Sequence, residues 1–210
     1  NVRIEDCHVD AEDDAIVFKA FQPDIFVTNV VVRNCRLSSN ASAIKVGTET
    51  FGRFRDIRVE NCDCDCRASS VHVAPNDFPG EKKGSRNHSI SGMEVSVVDG
   101  GTLDGVVFRD IVLERGIGTP LFIRLGRRRP SRIPGGSFLR NVLVENVRMT
   151  HPAANAIACS ISGVPGLRPS GITLRNCDFL FPGARCDALG PVVPEGEFET
   201  GFPWPYVFNC

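Results

Sequence analysis

One heptapeptide, written six times, constrains this chain more than anything else in it. Asn1 to Cys7 (NVRIEDC), Asn29 to Cys35 (NVVVRNC), Asp56 to Cys62 (DIRVENC), Gly105 to Ile111 (GVVFRDI), Asn141 to Val147 (NVLVENV) and Gly171 to Cys177 (GITLRNC) align without gaps. Positions two and four are apolar in every copy, the period of a strand with one buried face. The copies start 28, 27, 49, 36 and 30 residues apart. A unit recurring at such a period cannot bury its apolar face alone, so the copies must stack on one another.

Short strands, frequent Gly and Asn, and few helix-periodic stretches make the expected fold class all-β. A coil of about 27 to 30 residues then predicts a right-handed parallel β-helix, a solenoid. A leucine-rich repeat can have a coil of similar length, but it needs a regular Leu pattern that this chain lacks. Position six is Asn or Asp in every copy, which suits a bend at a strand end. Position seven is Cys, Ile or Val, turned back inward, so Cys7, Cys35, Cys62 and Cys177 read as buried free thiols. Position five runs Glu5, Arg33, Glu60, Arg109, Glu145, Arg175. Opposite charges would therefore meet on neighbouring coils if the copies stack directly. The gap of 49 before Gly105 has to hold an extra coil or an inserted loop.

The 210 residues, 42% hydrophobic and 23% charged, fit one domain with a sizeable core. A formal net charge of -1 gives no electrostatic case for nucleic acid, and no apolar run approaches the ~20 residues of a membrane helix. Nine cysteines are an odd number, and four of them share one place in the repeat, which argues against a simple disulfide framework. Cys62-Asp63-Cys64-Asp65-Cys66 would put three thiols on one side of a strand, but its spacing matches none of the usual zinc patterns. No metal is expected.

Chemistry concentrates at Asp13-Asp14, just before the alternating run Ala15 to Lys19. A strand mouth holding both acids in one cleft would separate their roles, because adjacent carboxylates cannot both be ionised cheaply. A bare Asp-Asp is more often a solvated turn pair, so its surroundings have to decide.

Those surroundings resemble glycoside hydrolase family 28, the polygalacturonase-like pectin hydrolases. The first heptad followed by Asp13-Asp14-Ala15-Ile16 and Lys19 is similar to that family's heptad and Asp-Asp-Cys/Ala-Ile-x-x-Lys block. Further matches follow in order: Ser38-Ser39 with Ala43 to Thr50, Val98 to Gly101, Pro120 to Gly126, and Ser160 to Gly166. Together they span most of residues 1 to 183. The resemblance implies a pectin-lyase-like right-handed parallel β-helix over 1 to 183 and a loop or tail over 184 to 210. It implies Asp13 as general acid and Asp14 as helping a further, upstream Asp deprotonate the attacking water, with inversion when acid and base lie ~6.5 to 9.5 Å apart. A bulge or bend would have to break strand alternation for both carboxylates to face one cleft. The implied substrate binders are Lys19, Lys45, Glu49, Asp99, Arg124 and Arg127. Each could also be ordinary outward charge on a solenoid, and Arg127-Arg128-Arg129 reads as a solvated loop. Lys45, between Ile44 and Val46, either snorkels to the cleft or pairs with an acid on the next coil.

Departures from the family define a non-classical branch. The family's further, upstream Asp would lie in a coil before Asn1, so the chain reads as a piece of a longer protein. The family's His maps to about Ser42, and its Arg-Ile-Lys maps near Glu94-Val95-Ser96, which cannot bind a uronate carboxylate. Residues 74 to 91, polar and rich in Gly and Pro, read as an inserted loop. The expected protein is a secreted or periplasmic monomer acting on a polysaccharide or oligosaccharide without cofactor. Its alternatives are a catalytically incomplete carbohydrate-binding fragment and a polysaccharide lyase using a Lys or Arg base with Ca²⁺.

Overall fold

The computed structural model describes residues 1–65, 89–151 and 159–180. Those residues form thirteen strands and no helix. Eight strands make one sheet: β1 (Val2–Glu5), β2 (His8–Ala11), β4 (Phe26–Arg33), β5 (Arg36–Ser39), β7 (Arg53–Asp65), β9 (Thr102–Leu113), β11 (Phe138–Met149) and β13 (Ser170–Asp178). Five make the second: β3 (Ile16–Ala20), β6 (Ser42–Thr50), β8 (Ser91–Val97), β10 (Thr119–Leu125) and β12 (Ser160–Gly163). The chain passes from one sheet to the other and back, and every strand pairs in parallel with the equivalent strand of the next copy.

The heptads lie along the larger sheet in the order β1-β4-β7-β9-β11-β13. Apolar positions two and four stack into columns that are closed to solvent in the inner copies, such as Val30 and Val32, Ile57 and Val59, Val106 and Phe108, Val142 and Val144. Removing each such side chain from water contributes about 1.5–3 kcal/mol, which drives the copies together.

Position six is left-handed in all six copies: Asp6, Asn34, Asn61, Asp110, Asn146 and Asn176 have φ between 51° and 55°. Asn and Asp tolerate that region better than other side-chain-bearing residues. Their side chains form a ladder across the copies. Asn34 donates to Asp6 at 3.0 Å, Asn61 to Asn34 at 2.9 Å, Asn146 to Asp110 at 2.8 Å and Asn176 to Asn146 at 2.8 Å. A second left-handed column stands at position one, through Asn29, Asp56, Gly105, Asn141 and Gly171.

Position five is in register from Glu5 to Arg175. Arg33 meets Glu5 at 2.9 Å, Arg109 lies between Glu60 at 3.2 Å and Glu145 at 2.8 Å, and Arg175 meets Glu145 at 2.7 Å. Because β7 pairs directly with β9, the gap of 49 adds no further strand between those two copies. The loop expected over 74 to 91 falls, up to residue 88, outside the described residues, as does the tail over 184 to 210. Ile90 and Ser91 already bond through their N–H groups to the Ala41 carbonyl.

The expectation for the thiols needs correction at the two ends. Cys35 and Cys62 are buried, but Cys7 is exposed and Cys177 only half-buried. Each of the latter belongs to an outermost copy of the heptad, Cys7 between β1 and β2 and Cys177 in β13, covered from one side alone. Cys62 and Cys64 both point into the core, and burial pushes the Cys62 thiol up to about 11.

Candidate functional site

After β2 the chain turns through residues 12–15 and enters the edge of the five-stranded sheet. That turn is tied to the next copy. Ala15 donates its N–H to Ser42 O at 3.0 Å, and Ser39 Oγ donates to Asp13 O at 2.7 Å. Because Asp13 and Asp14 sit in the turn and not within a strand, adjacent side chains escape strict alternation. They meet different surroundings. Asp13 is exposed, with Oδ1 accepting the Asp14 N–H at 2.9 Å. The Asp14 side chain is 9% exposed, and its Oδ1 accepts the Ser42 N–H at 3.0 Å.

Asp14 leads into a buried charge cluster on the outward side of the smaller sheet. Ile44 and Val46 point into the core, so Lys45 between them points away from it. In the parallel register Lys45 stands beside Glu94 on β8. Lys45 Nζ lies 3.5 Å from Asp14 Oδ2 and 3.6 Å from Glu94 Oε1. Glu94 is completely buried and fully anchored. Ser42 Oγ and Ser91 Oγ donate to its Oε2 at 3.0 and 3.1 Å, and Ser96 Oγ donates to its Oε1 at 2.8 Å. Burial opposes the Lys45 charge, but the carboxylates of Glu94 and Asp14 outweigh it and raise the lysine above its ordinary range. Gly47 permits the close packing here, since a Cβ at that position would come within 2.4 Å of Ser96 O.

A second cluster forms one turn further along. Lys19 Nζ meets Glu49 Oε2 at 2.7 Å. Arg128 grips Asp99 with two bonds, Nε to Oδ1 at 2.8 Å and Nη2 to Oδ2 at 2.6 Å, while also donating to Thr48 O at 3.2 Å. Its Nη2 stands 3.7 Å from Glu49 Oε1. Asp99 also accepts the Thr50 N–H at 3.3 Å, and Thr50 Oγ1 accepts from the Val98 and Asp99 N–H groups. Asp99 therefore fastens the turn after β8 to the end of β6. Burial works against the Glu49 charge, but the Lys19 hydrogen bond and the nearby Lys19 and Arg128 charges hold its carboxyl below the usual range.

The structure thus brings Asp13, Asp14 and Lys45 together, and separately Lys19, Glu49 and Asp99. Arg124 on β10 is 3% exposed, in register with Ser96 and Ser162. Arg127 is exposed and donates to Pro165 O at 3.2 Å, and it is the neighbouring Arg128 that joins Asp99. Sequence reasoning missed Arg128 because three consecutive arginines look alike, and it treated Glu94 only as a residue unable to bind a uronate. The signal for Glu94 was its outward place between Met93 and Val95, one copy away from an outward lysine. Among the described residues no group of three or more His, Cys, Asp or Glu is arranged to hold a metal ion. No family model matches the chain, and no curated protein or solved structure does either.

Proposed function

We propose that this chain folds as a right-handed parallel β-helix of the pectin-lyase-like kind and acts as an inverting glycoside hydrolase on a pectic or related polysaccharide. The observation that carries the reading is the unequal setting of two adjacent carboxylates. Asp13 is exposed at the turn, while the Asp14 side chain lies largely covered against Lys45 and the Ser42 N–H. An exposed acid can reach a glycosidic oxygen, and a second carboxyl group set deeper beside it can hold and deprotonate a water. In the proposed step the Asp13 carboxyl gives its proton to the glycosidic oxygen as the anomeric C–O bond breaks. A water oxygen bonds to the anomeric carbon from the opposite face, and Asp14 receives the proton that water loses. The alternation of the chain between two parallel sheets and the in-register heptads support the β-helix part of the proposal.

Lys19, Glu49 and Arg127 are proposed to contact the glycan, with Asp99 and Arg128 holding the turn beside them; Arg124, 3% exposed, is closed off from such contact. No cofactor enters the mechanism, and a secreted or periplasmic setting suits a polymeric substrate. The geometry disfavours Lys45 as the base of a lyase, because a lysine held charged by two carboxylates has no free electron pair with which to abstract a proton. The test is reducing-end release from homogalacturonan, rhamnogalacturonan and neutral glycans by the wild type and by Asp13→Asn. Release abolished in Asp13→Asn supports the reading. Glycan binding with no release from any substrate favours a binding module, and release that survives Asp13→Asn refutes the assignment of the acid.

A further inference from the structure

Glu94 is the acid of the Asp14 cluster with no part in the step just described, yet it is completely enclosed and accepts hydrogen bonds at both oxygens. An ionised carboxylate so far from water is tolerated only where partners compensate for its lost hydration. Here three serine hydroxyls fix both of its oxygens, and the parallel register sets its side chain beside Lys45. Ser42 links the two acids directly, giving its N–H to Asp14 and its hydroxyl to Glu94. The Lys45 ammonium is thereby suspended almost midway, 3.5 Å from one carboxylate and 3.6 Å from the other. A simple structural ion pair would need one acid for one lysine. Two acids sharing one cation make the position of that cation, and of the movable acid beside it, a balance.

We propose that Glu94 is a positioning residue for the reaction. Acting through Lys45 and Ser42, it fixes the Asp14 carboxylate at the place where the proton from water is received. The role rests on the hydrolase reading of Asp13 and Asp14. The charged groups that face Lys45 are Asp13 and Asp14 from the turn before β3, and Glu94 from β8.

Glu94→Gln tests it, because glutamine keeps the size while removing the charge: its amide oxygen still accepts from serine on one side, and its NH2 donates on the other to hydroxyls that can turn to accept. Lys45 then moves fully onto Asp14 and displaces the base. The expected result is a fall in kcat of about tenfold or more with KM within about twofold, the pattern of a lost transition-state interaction. A second readout needs no turnover. The Lys45 ε-carbon resonance, assigned through its loss in Lys45→Arg, should titrate above the ordinary lysine range in the wild type and at lower pH in Glu94→Gln. An active enzyme whose Glu94→Gln variant keeps its kcat, or whose Lys45 titration does not move, overturns the positioning role alone. An inert wild type in which the titration still moves overturns the hydrolase reading and the positioning role with it, leaving only the ion-pair geometry. If Glu94→Gln does not fold, the wild-type titration decides, and a Lys45 that loses its proton at or below the ordinary lysine range refutes the proposal.

Discussion

Replacing Asn146 by alanine removes two rungs of the position-six ladder and puts a Cβ-bearing residue without a compensating side chain at φ 54°. Asn146 donates to Asp110 and accepts from Asn176, each at 2.8 Å. Both bonds are exposed, so the lower end of the usual range applies, about 0.5 kcal/mol each. Holding alanine in the left-handed region costs a further ~1–2 kcal/mol. The expected loss is therefore roughly 2–3 kcal/mol. Glycine separates the two contributions. Asn146→Gly loses the same bonds but escapes the strain, at the cost of ~0.5–1 kcal/mol of extra chain entropy in the unfolded state. It should remain more stable than Asn146→Ala by about 0.5–1 kcal/mol. Urea unfolding of the three proteins, with slopes unchanged, measures this directly. Equal stability of the two variants, or glycine the worse, would refute the claim that backbone conformation selects Asn and Asp at this position.

Further outcomes follow from the buried groups. Lys45→Met leaves the Asp14 and Glu94 carboxylates facing each other without their cation, and should destabilise the fold by about 3–5 kcal/mol at neutral pH in the same urea assay. The pH dependence has a definite sign. Despite its burial, Lys45 is held charged in the folded state beyond its ordinary value of 10.5, so its stabilisation is complete below that pH and is lost as pH rises through the folded-state value. The difference between wild type and Lys45→Met should accordingly shrink in strong alkali. Cys62 adds a loss of the same sign, because burial lifts its thiol from 9.0 to about 11 and unfolded thiolates form first. Peptide mapping after brief thiol labelling should find Cys7 modified and Cys35, Cys62 and Cys64 protected until the protein unfolds.

The heptads made much of the larger sheet legible. Alternating apolar positions set which side chains stack, and the Glu/Arg alternation at position five anticipated the actual register, including the Glu60 to Arg109 contact across the long gap. That worked because both patterns act between equivalent residues of adjacent copies. The second left-handed column went unread because position one opens what reads as a strand, although it is Asn, Asp or Gly in every copy, the residues that tolerate a positive φ. The exposure of Cys7 depends on strand order and not on local sequence. At the candidate site, Asp13 and Asp14 announced themselves by adjacency, and Lys45 by its place between two core residues. Glu94 and Arg128 became visible only once the strands were aligned, because their partners lie 49 and 29 residues away in sequence. Cross-copy pairing of this kind leaves no local motif.

The central claim is most directly tested by the stereochemistry of the first product. Proton NMR during cleavage of a pectic oligosaccharide of known linkage shows the anomer formed before mutarotation. The account predicts the anomer opposite to that of the bond cleaved, with no such product from Asp13→Asn. A first product that retains the substrate's configuration would contradict the assignment of Asp14 as a base acting through water.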